Sequence, residues 1–262
     1  MSRRQKTKKY LCLLVLSLLI ILIADYLSLT PSATGQAQET EVTLTWSTDS
    51  YIPLDYPGKA LPTRESLIEV AATVDWPAGR EEINPSELVY NWFLNDHIQK
   101  SDSGEGKQVF KFGSQGTIKQ RHLVKVEIKN KEGGLLGFSP YLSIELTEPQ
   151  IVLQPTKSNG VKTKISATPQ LISQQYQISA NQEIEFMAQP YFFDIEEVNE
   201  LNYSWSLAGQ VASKISPDKP NLFILKVGQL AQIISQELRV WAENKNNPFQ
   251  RAQTNVEIIL RP

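Results

Sequence analysis

The chain contains only two histidines, and they are the first residues to test for catalysis or metal binding. His97 falls in a predicted turn and His122 at the start of a predicted strand, and neither has a partner residue at a recognisable spacing. A histidine-based metal centre or an activated nucleophile needs such partners. We therefore expect no catalytic residues, no metal centre and no cofactor, and predict that the protein is not an enzyme.

Three carboxylates lie close together in one predicted hairpin turn. Asp96, Asp102 and Glu105 offer the oxygen ligands that Ca²⁺ prefers. Their spacing does not follow a known calcium-binding loop, so we favour a solvated hairpin tip and keep calcium binding as the alternative.

Aromatic residues near predicted strand ends form a second group of candidate binding residues. They are Trp76, Tyr191, Phe192 and Phe193. Such side chains can stack on sugars or contact a protein partner. Packing in the core or at a sheet edge is the interpretation we favour, because single apolar residues near a surface are common.

The cysteine count and the net charge argue against a disulfide-bonded fold and against a nucleic-acid-binding protein. Cys12 is the only cysteine, so no intrachain disulfide can form. Exported domains without disulfides suggest a bacterial cell surface. The residues after Ala24 include 21 basic and 28 acidic side chains, a net charge of −7. We therefore expect no nucleic-acid partner, since phosphate backbones attract basic surfaces.

The amino-terminal residues have the pattern of a membrane anchor. Residues 1–9 carry five basic residues and no acid, and Leu11 to Ala24 contains eleven Leu, Ile or Val. A helix over residues 10–29 would span the hydrocarbon layer of about 30 Å. The basic flank predicts residues 1–9 in the cytoplasm and the remainder outside the cytoplasmic membrane, at the cell surface or in the periplasm.

Cleavage of this segment is an open alternative. The best signal-peptidase site, Gly35-Gln36-Ala37, lies thirteen residues beyond Ala24, which is far for cleavage. We favour an uncleaved anchor that contacts the lipid bilayer through residues 10–29, followed by a linker over residues 30–39.

The clearest pattern in the chain is an internal repeat. Leu88, Tyr90 and Trp92 read L-x-Y-x-W, and the same pattern recurs 113 positions later. A V-x-N segment and the residues that end each half recur at nearly the same offset. Self-similarity at a fixed period indicates duplicated structural units. The residues predicted to form the two cores are Leu88, Tyr90, Trp92, Val126, Leu201, Tyr203, Trp205 and Val240.

Alternating apolar residues after position 40 predict short strands. Val42, Leu44 and Trp46 alternate with polar residues, as in a strand with one buried face. Turn residues separate such runs at regular intervals, which favours antiparallel sandwiches. We predict an all-β fold with two tandem sandwich domains, over residues 40–148 and 149–262, joined by the short, stiff Thr147-Glu148-Pro149.

Two segments depart from the strand pattern. Tyr51 to Pro62 is rich in proline and is predicted to be an extended loop facing solvent. Gln229 to Glu237 has apolar residues at helical spacing and is predicted to form a helical connector of one or two turns.

The pairing of L-x-Y-x-W with a later V-x-V-x-I-x-N run resembles bacterial immunoglobulin-like and PKD-type (polycystic kidney disease) domains. The resemblance covers residues 40–262 and implies that Trp92 and Trp205 lie on the strand that packs across the two sheets. It departs from the PKD pattern after each tryptophan, where Phe93-Leu94-Asn95-Asp96 and Ser206-Leu207-Ala208-Gly209 replace an Asp-Phe-Gly-Asp-like stretch. The generic immunoglobulin-like description therefore fits best.

These features lead to three functional hypotheses. The first is a non-enzymatic, membrane-anchored protein whose immunoglobulin-like domains serve adhesion, scaffolding or spacing at the cell surface. The second is an accessory subunit of an envelope secretion or pilus machine, with sheet edges that dock partner strands. The third is a carbohydrate-binding surface protein using Trp76 or the Tyr191 to Phe193 cluster. A protein partner is expected ahead of a carbohydrate.

Overall fold

The computed structural model describes residues 40–79, 81–117, 119–158, 175–213 and 215–262. Residues Thr40–Pro262 form one compact unit. Among the described residues, no helix is both long enough and apolar enough to cross a membrane. The predicted anchor over residues 10–29 and its flanking segments, including Cys12, lie outside the described residues.

The first half of this unit is built from nine strands. They are β1 (Glu41–Thr48), β2 (Leu67–Asp75), β3 (Val89–Leu94), β4 (His97–Ile98), β5 (Gly104–Glu105), β6 (Val109–Gly113), β7 (Arg121–Lys129), β8 (Leu135–Phe138) and β9 (Leu142–Glu145). They form two antiparallel sheets. One has the order β1-β2-β6, and the other β4-β3-β7-β8, with β5 paired to β3 and β9 paired to β7.

The second half repeats this plan with eight strands. They are β10 (Gln150–Ser158), β11 (Gln175–Ser179), β12 (Glu183–Tyr191), β13 (Leu201–Leu207), β14 (Gln210–Val211), β15 (Leu222–Lys226), β16 (Ile234–Asn244) and β17 (Arg251–Arg261). One sheet has the order β10-β12-β15 and the other β11-β17-β16-β13-β14. The pairing of β11 with β17 is parallel.

Both halves have the sheet composition of an immunoglobulin-like sandwich. In each half, one sheet has three strands, β1-β2-β6 or β10-β12-β15, and the tryptophan strand, β3 or β13, lies in the other sheet, as in sandwiches of this class. The fold is therefore all-β with tandem immunoglobulin-like sandwiches. We name the half over residues 41–145 the first sandwich and the half over residues 150–261 the second sandwich.

Each sandwich has its own hydrophobic core. Seven of the eight predicted core residues are at most 1% exposed, and Tyr203 is partly buried against the second core. Every buried residue of the two cores lies between Val42 and Leu260. Within the described residues, Thr40–Pro262 supplies the apolar contacts of both cores, and we expect this unit to fold on its own.

The two tryptophans occupy equivalent places. Trp92 stacks on Phe110 with ring centroids 5.5 Å apart, and Trp205 stacks on Phe223 at 5.3 Å. Each indole N–H donates to a backbone carbonyl fifteen residues later, at 2.8 Å in the first sandwich and 2.9 Å in the second. The strand period of two predicts the inward tryptophan, whereas its phenylalanine partner on the opposite sheet follows from the tertiary structure.

Local turns are duplicated as well. A 3₁₀ turn precedes the tryptophan strand in each sandwich, at Pro85–Glu87 and Val198–Glu200. The following hairpin has a two-residue turn with positive φ at both positions, formed by Asn95-Asp96 and by Ala208-Gly209. This geometry is the type I′ turn that matches strand twist, and it explains why the chain departs from the PKD pattern at these positions.

The predicted connector helix over Gln229 to Glu237 is wrong. Residues 229–233 form an irregular connection, and the strand β16 begins at Ile234. The apolar residues at helical spacing, Ile233 and Ile234, differ in environment: Ile233 is 62% exposed, whereas Ile234 packs against the second core. Pairing of Ile234 with Leu260 of β17 overrides the local helical pattern.

Candidate functional site

Three of the four residues predicted to form a partner-binding platform, Tyr191, Phe192 and Phe193, lie where the two sandwiches meet. Tyr191, Phe192 and Phe193 are 3%, 2% and 0% exposed, so their side chains are not available to a sugar or an external protein. Trp76 is partly buried and packs against the first core. The strand-end position that suggested a platform is real, but a remote segment covers the Tyr191 to Phe193 cluster.

That remote segment is the proline-rich loop over residues 51–62, which the sequence predicts to face solvent. The loop instead contacts the second sandwich. The Tyr51 N–H donates to the Phe193 carbonyl at 2.6 Å, and the Phe192 N–H donates to the Tyr51 carbonyl at 2.7 Å. The Tyr56 ring lies edge-on to Tyr191 and Phe192, with centroids 5.4 and 5.9 Å apart. The prediction is therefore wrong for this part of the loop, because aromatic burial outweighs exposure.

The backbone at Phe192 shows what this packing requires. Phe192 has a φ of 61°, in the left-handed region that costs a residue with a Cβ about 1–2 kcal/mol. Its conformation turns the N–H toward Tyr51 and places the ring against Tyr56. The contacts of Phe192 with Tyr51 and Tyr56 hold the residue in this strained conformation.

A second set of contacts lies beside the aromatic cluster. The Gln250 side-chain N–H donates to the Arg64 carbonyl at 2.7 Å, and the Asn247 amide donates to the Glu65 carboxylate at 3.0 Å. The Arg64 guanidinium lies over the Phe249 ring at 4.2 Å. We call this combination of aromatic and polar contacts the interdomain joint.

Gln250 links the joint to the second sandwich. Its side-chain oxygen accepts from the Asp194 N–H at 2.9 Å and from the Asn244 side chain at 3.0 Å, and the whole residue is 0% exposed. Burial, reinforced by the neighbouring carboxylates of Asp49, Glu200 and Glu65, raises the pKa of Asp194. The joint is therefore a buried polar network next to an aromatic cluster, and it links the two sandwiches.

The acidic turn of the first sandwich has another structural role. Asp96 accepts a hydrogen bond from the Tyr141 hydroxyl, Asp102 accepts one from Ser101 at 2.6 Å, and Glu105 pairs with Lys131 at 3.1 Å. The carboxylates thus point to different protein partners. Among the described residues, no group of three or more His, Cys, Asp or Glu side chains is arranged to hold a metal ion.

The two histidines lie apart and in different surroundings. His97 is exposed at the hairpin tip, and its ring lies 2.7 Å from the Asn95 carbonyl. His122 is 4% exposed and lies edge-on to Phe112 with centroids 5.5 Å apart, and its ring nitrogens have no hydrogen-bond partner among the described residues. Burial lowers the pKa of His122, and the nearby backbone of Gln115 opposes that shift only in part. His122 is thus a core residue in which burial disfavours the charged imidazolium.

A shallow groove lies at the start of β13. Its lining includes Asn199, Asn202, Tyr203 and Lys245. The Lys245 ammonium already donates to the Asn199 carbonyl at 2.6 Å.

Comparison with known proteins finds structures of low similarity and no related sequence. The sequence matches no protein-family model and no curated protein. Three N-terminal domains of the bacteriophage RB49 highly immunogenic outer capsid protein (Hoc) are similar in structure at 15% identity, with 84% of this chain and 59% of that chain covered and a TM-score of 0.42.

Two further solved structures are similar at lower scores. The FN1–FN3 domains of chicken CNTN1 share 11% identity, with 76% of this chain and 63% of that chain covered and a TM-score of 0.30. An intimin fragment, solved in complex with the intimin-binding domain of the translocated intimin receptor, shares 12% identity, with coverages of 83% and 62% and a TM-score of 0.24. This chain spans about three fifths of each of these structures. All three are tandem immunoglobulin- or fibronectin-like sandwich proteins, and the fold assignment here rests on strand topology.

Proposed function

We propose that the chain is a non-enzymatic protein, anchored in the cytoplasmic membrane by residues 10–29, whose tandem sandwiches act outside the membrane as a scaffold or spacer for protein contacts. The observation that carries this proposal is the interdomain joint. Two backbone hydrogen bonds at Tyr51, the aromatic contacts of Tyr56 and the Gln250 network link the sandwiches over several independent contacts.

The size of these contacts supports a fixed orientation. Each aromatic pair contributes about 0.5–1.5 kcal/mol beyond simple burial. Each hydrogen bond contributes about 0.5–1.5 kcal/mol. Even the lower ends of these ranges, taken over the contacts of the joint, exceed the thermal energy of about 0.6 kcal/mol several times. A spacer needs such a joint, because a flexible connection would not hold surfaces at a set separation.

The orientation is tested on residues 40–262, which contain no cysteine of their own. Glu132→Cys in the first sandwich and Asp218→Cys in the second each provide a site for a spin label. Double electron–electron resonance then measures the distance between the two labels. We expect one narrow distribution in the otherwise native chain. Tyr56→Ala and Gln250→Ala should each broaden it, since they remove an aromatic and a polar part of the joint.

Gln253→Ala is the matched control, because Gln253 is exposed on the outer face of β17 and leaves the joint untouched. A broad distribution in the native chain, or equal broadening in the control, would overturn the fixed-joint argument.

The cellular part of the proposal needs a separate experiment on the full chain. We expect the protein to sediment with membranes, and externally added protease to digest the sandwiches in cells with a permeabilised outer layer. Amino-terminal sequencing that begins near Gln38 would refute the anchor. Cross-linking in intact cells followed by mass spectrometry distinguishes the machine hypothesis, since one stoichiometric membrane complex would identify an accessory subunit.

A further inference from the structure

The outer face of the β4-β3-β7-β8 sheet of the first sandwich exposes a group of apolar side chains. Ile98, Phe138 and Tyr141 are 44%, 64% and 50% exposed, and Phe93 lies beside them, partly buried. We call this surface the aromatic face. Contiguous exposed apolar side chains of this kind mark interaction surfaces.

The corresponding face of the second sandwich differs in character. The position equivalent to Phe93, 113 residues later, is Ser206, and the position equivalent to Tyr141, 114 residues later, is Asn255. Phe93 lies on β3 and Ser206 on β13, so the fold does not require an aromatic residue at this position. The positions equivalent to Lys125 and Glu127 are Arg239 and Trp241, so the second sandwich has a different arrangement of aromatic and charged side chains on this face.

Two opposite charges lie at the centre of this face. Lys125 and Glu127 are neighbours on β7, with the ammonium and carboxylate 3.8 Å apart and side chains 24% and 31% exposed. The Lys125 ammonium lies 4.7 Å from the centre of the Phe93 ring and 5.7 Å from that of Tyr141. The charges are thus partly covered, and aromatic rings surround them.

The strand register orders these residues in two rows across the sheet. Phe93 is opposite Lys125, and the pairing of Leu142 with Val124 places Tyr141 on the other side of Lys125. Glu127 is opposite Phe138 in the next row. One row therefore has Lys125 beside Tyr141, and the other has Glu127 beside Phe138.

We propose that the aromatic face binds the same face of a second copy of the chain. A twofold axis that runs across the strands between the two rows places Lys125 of one copy against Glu127 of the other, and Tyr141 against Phe138. Both pairs occur twice, so the face is complementary to itself, as an isologous interface requires. Local charges balance across the contact even though the exported residues carry a net negative charge.

The size of the face sets the strength of the dimer. The four strands β4, β3, β7 and β8 have 2, 6, 9 and 4 residues, and at about 3.3 Å per residue and about 4.8 Å between strands they present a face of only a few hundred Å². A standard stable interface buries about 800 Å² on each partner. We therefore expect a weak, reversible dimer.

Sedimentation velocity on residues 40–262 tests this, with protein from about 1 to about 300 µM. We expect a concentration-dependent monomer–dimer equilibrium. Phe138→Ser should raise the dissociation constant at least tenfold. Val211→Ser is the matched control, because Val211 is 74% exposed on the second sandwich, outside the face, and it should leave the constant unchanged.

A charge exchange provides the decisive measurement. Lys125→Glu and Glu127→Lys should each abolish self-association, because each places like charges opposite one another. Mixing the two variant chains should restore a dimer, since the twofold arrangement then pairs opposite charges in both contacts. Thermal unfolding of each variant confirms that it is folded.

Three results would overturn the proposal: a native chain that stays monomeric throughout, single charge variants that associate like the native chain, or a mixture that stays monomeric. The proposal requires neither the membrane anchor nor the spacer function. A broad interlabel distance would refute the joint while leaving this dimer intact.

Discussion

Replacement of Trp205 by alanine should unfold the second sandwich selectively. The side chain is 1% exposed, stacks on Phe223 at 5.3 Å and donates its indole N–H to the Pro220 carbonyl at 2.9 Å. Truncation of a buried Trp to Ala costs about 3–5 kcal/mol through lost transfer energy and the cavity that remains. Leaving the Pro220 carbonyl without its donor adds about 1 kcal/mol.

The loss is large for a domain of this size. Single domains are stable by about 5–15 kcal/mol, so a loss of about 4–6 kcal/mol removes from about a quarter to all of that stability. With a urea dependence of about 1–3 kcal/mol per M, the unfolding midpoint should fall by roughly 2 M. Trp92→Ala should have the same effect on the first sandwich, because Trp92 is 0% exposed and stacked in the same way.

The assay combines urea unfolding followed by circular dichroism with hydrogen exchange resolved along the chain. Trp205→Ala should lower the protection from hydrogen exchange in β12 to β17. The strands β1 to β7 should keep their protection, except at residues of the interdomain joint, because the two cores are separate. Trp241→Ala is the matched control. Trp241 is partly exposed on the outer face of β16 with Arg251 near its ring, so we expect a loss of about 1 kcal/mol or less.

Two results would refute this reasoning. If Trp205→Ala destabilised the protein no more than Trp241→Ala, the indole would not be a core element. If protection fell equally in both sandwiches, their cores would behave as one cooperative unit.

Two further predictions concern the pH dependence of stability and the duplicated hairpin. The lowered pKa of His122 means that the unfolded chain binds more protons at mildly acidic pH, so the free energy of unfolding should fall as pH drops below the ordinary value of 6.5, by up to about 1.4 kcal/mol per pH unit. Urea unfolding at pH 5 and at pH 7.5 should show this loss in the native chain and a smaller loss in His122→Leu. If the two chains lost the same free energy of unfolding between these pH values, the effect would belong to other groups. Ala208 has a φ of 48°, where alanine is strained, so Ala208→Asn should raise the thermal midpoint of the second sandwich, with a gain of about 0.5–1 kcal/mol. A midpoint that stays the same or falls would show that alanine is not strained in this turn. Asn95→Ala in the equivalent turn should lower the thermal midpoint of the first sandwich.

The sequence alone determines the strands and much of the core. Side chains alternate across a strand, so the apolar phase of Leu88, Tyr90 and Trp92 assigns them to one buried face before any partner is known. The repeat then transfers the assignment to the second half. This alternation of apolar and polar residues depends only on residues close together in the chain, and it predicts the all-β sandwich.

Only the tertiary structure decides which exposed or buried role an aromatic residue takes at a strand end. Tyr191 to Phe193 are buried because the loop with Tyr51 and Tyr56, more than a hundred residues earlier, packs on them. Phe138 and Tyr141 stay exposed because no described segment covers their sheet face. Local period shows which side of a strand is apolar, whereas coverage depends on contacts between segments that are remote in sequence.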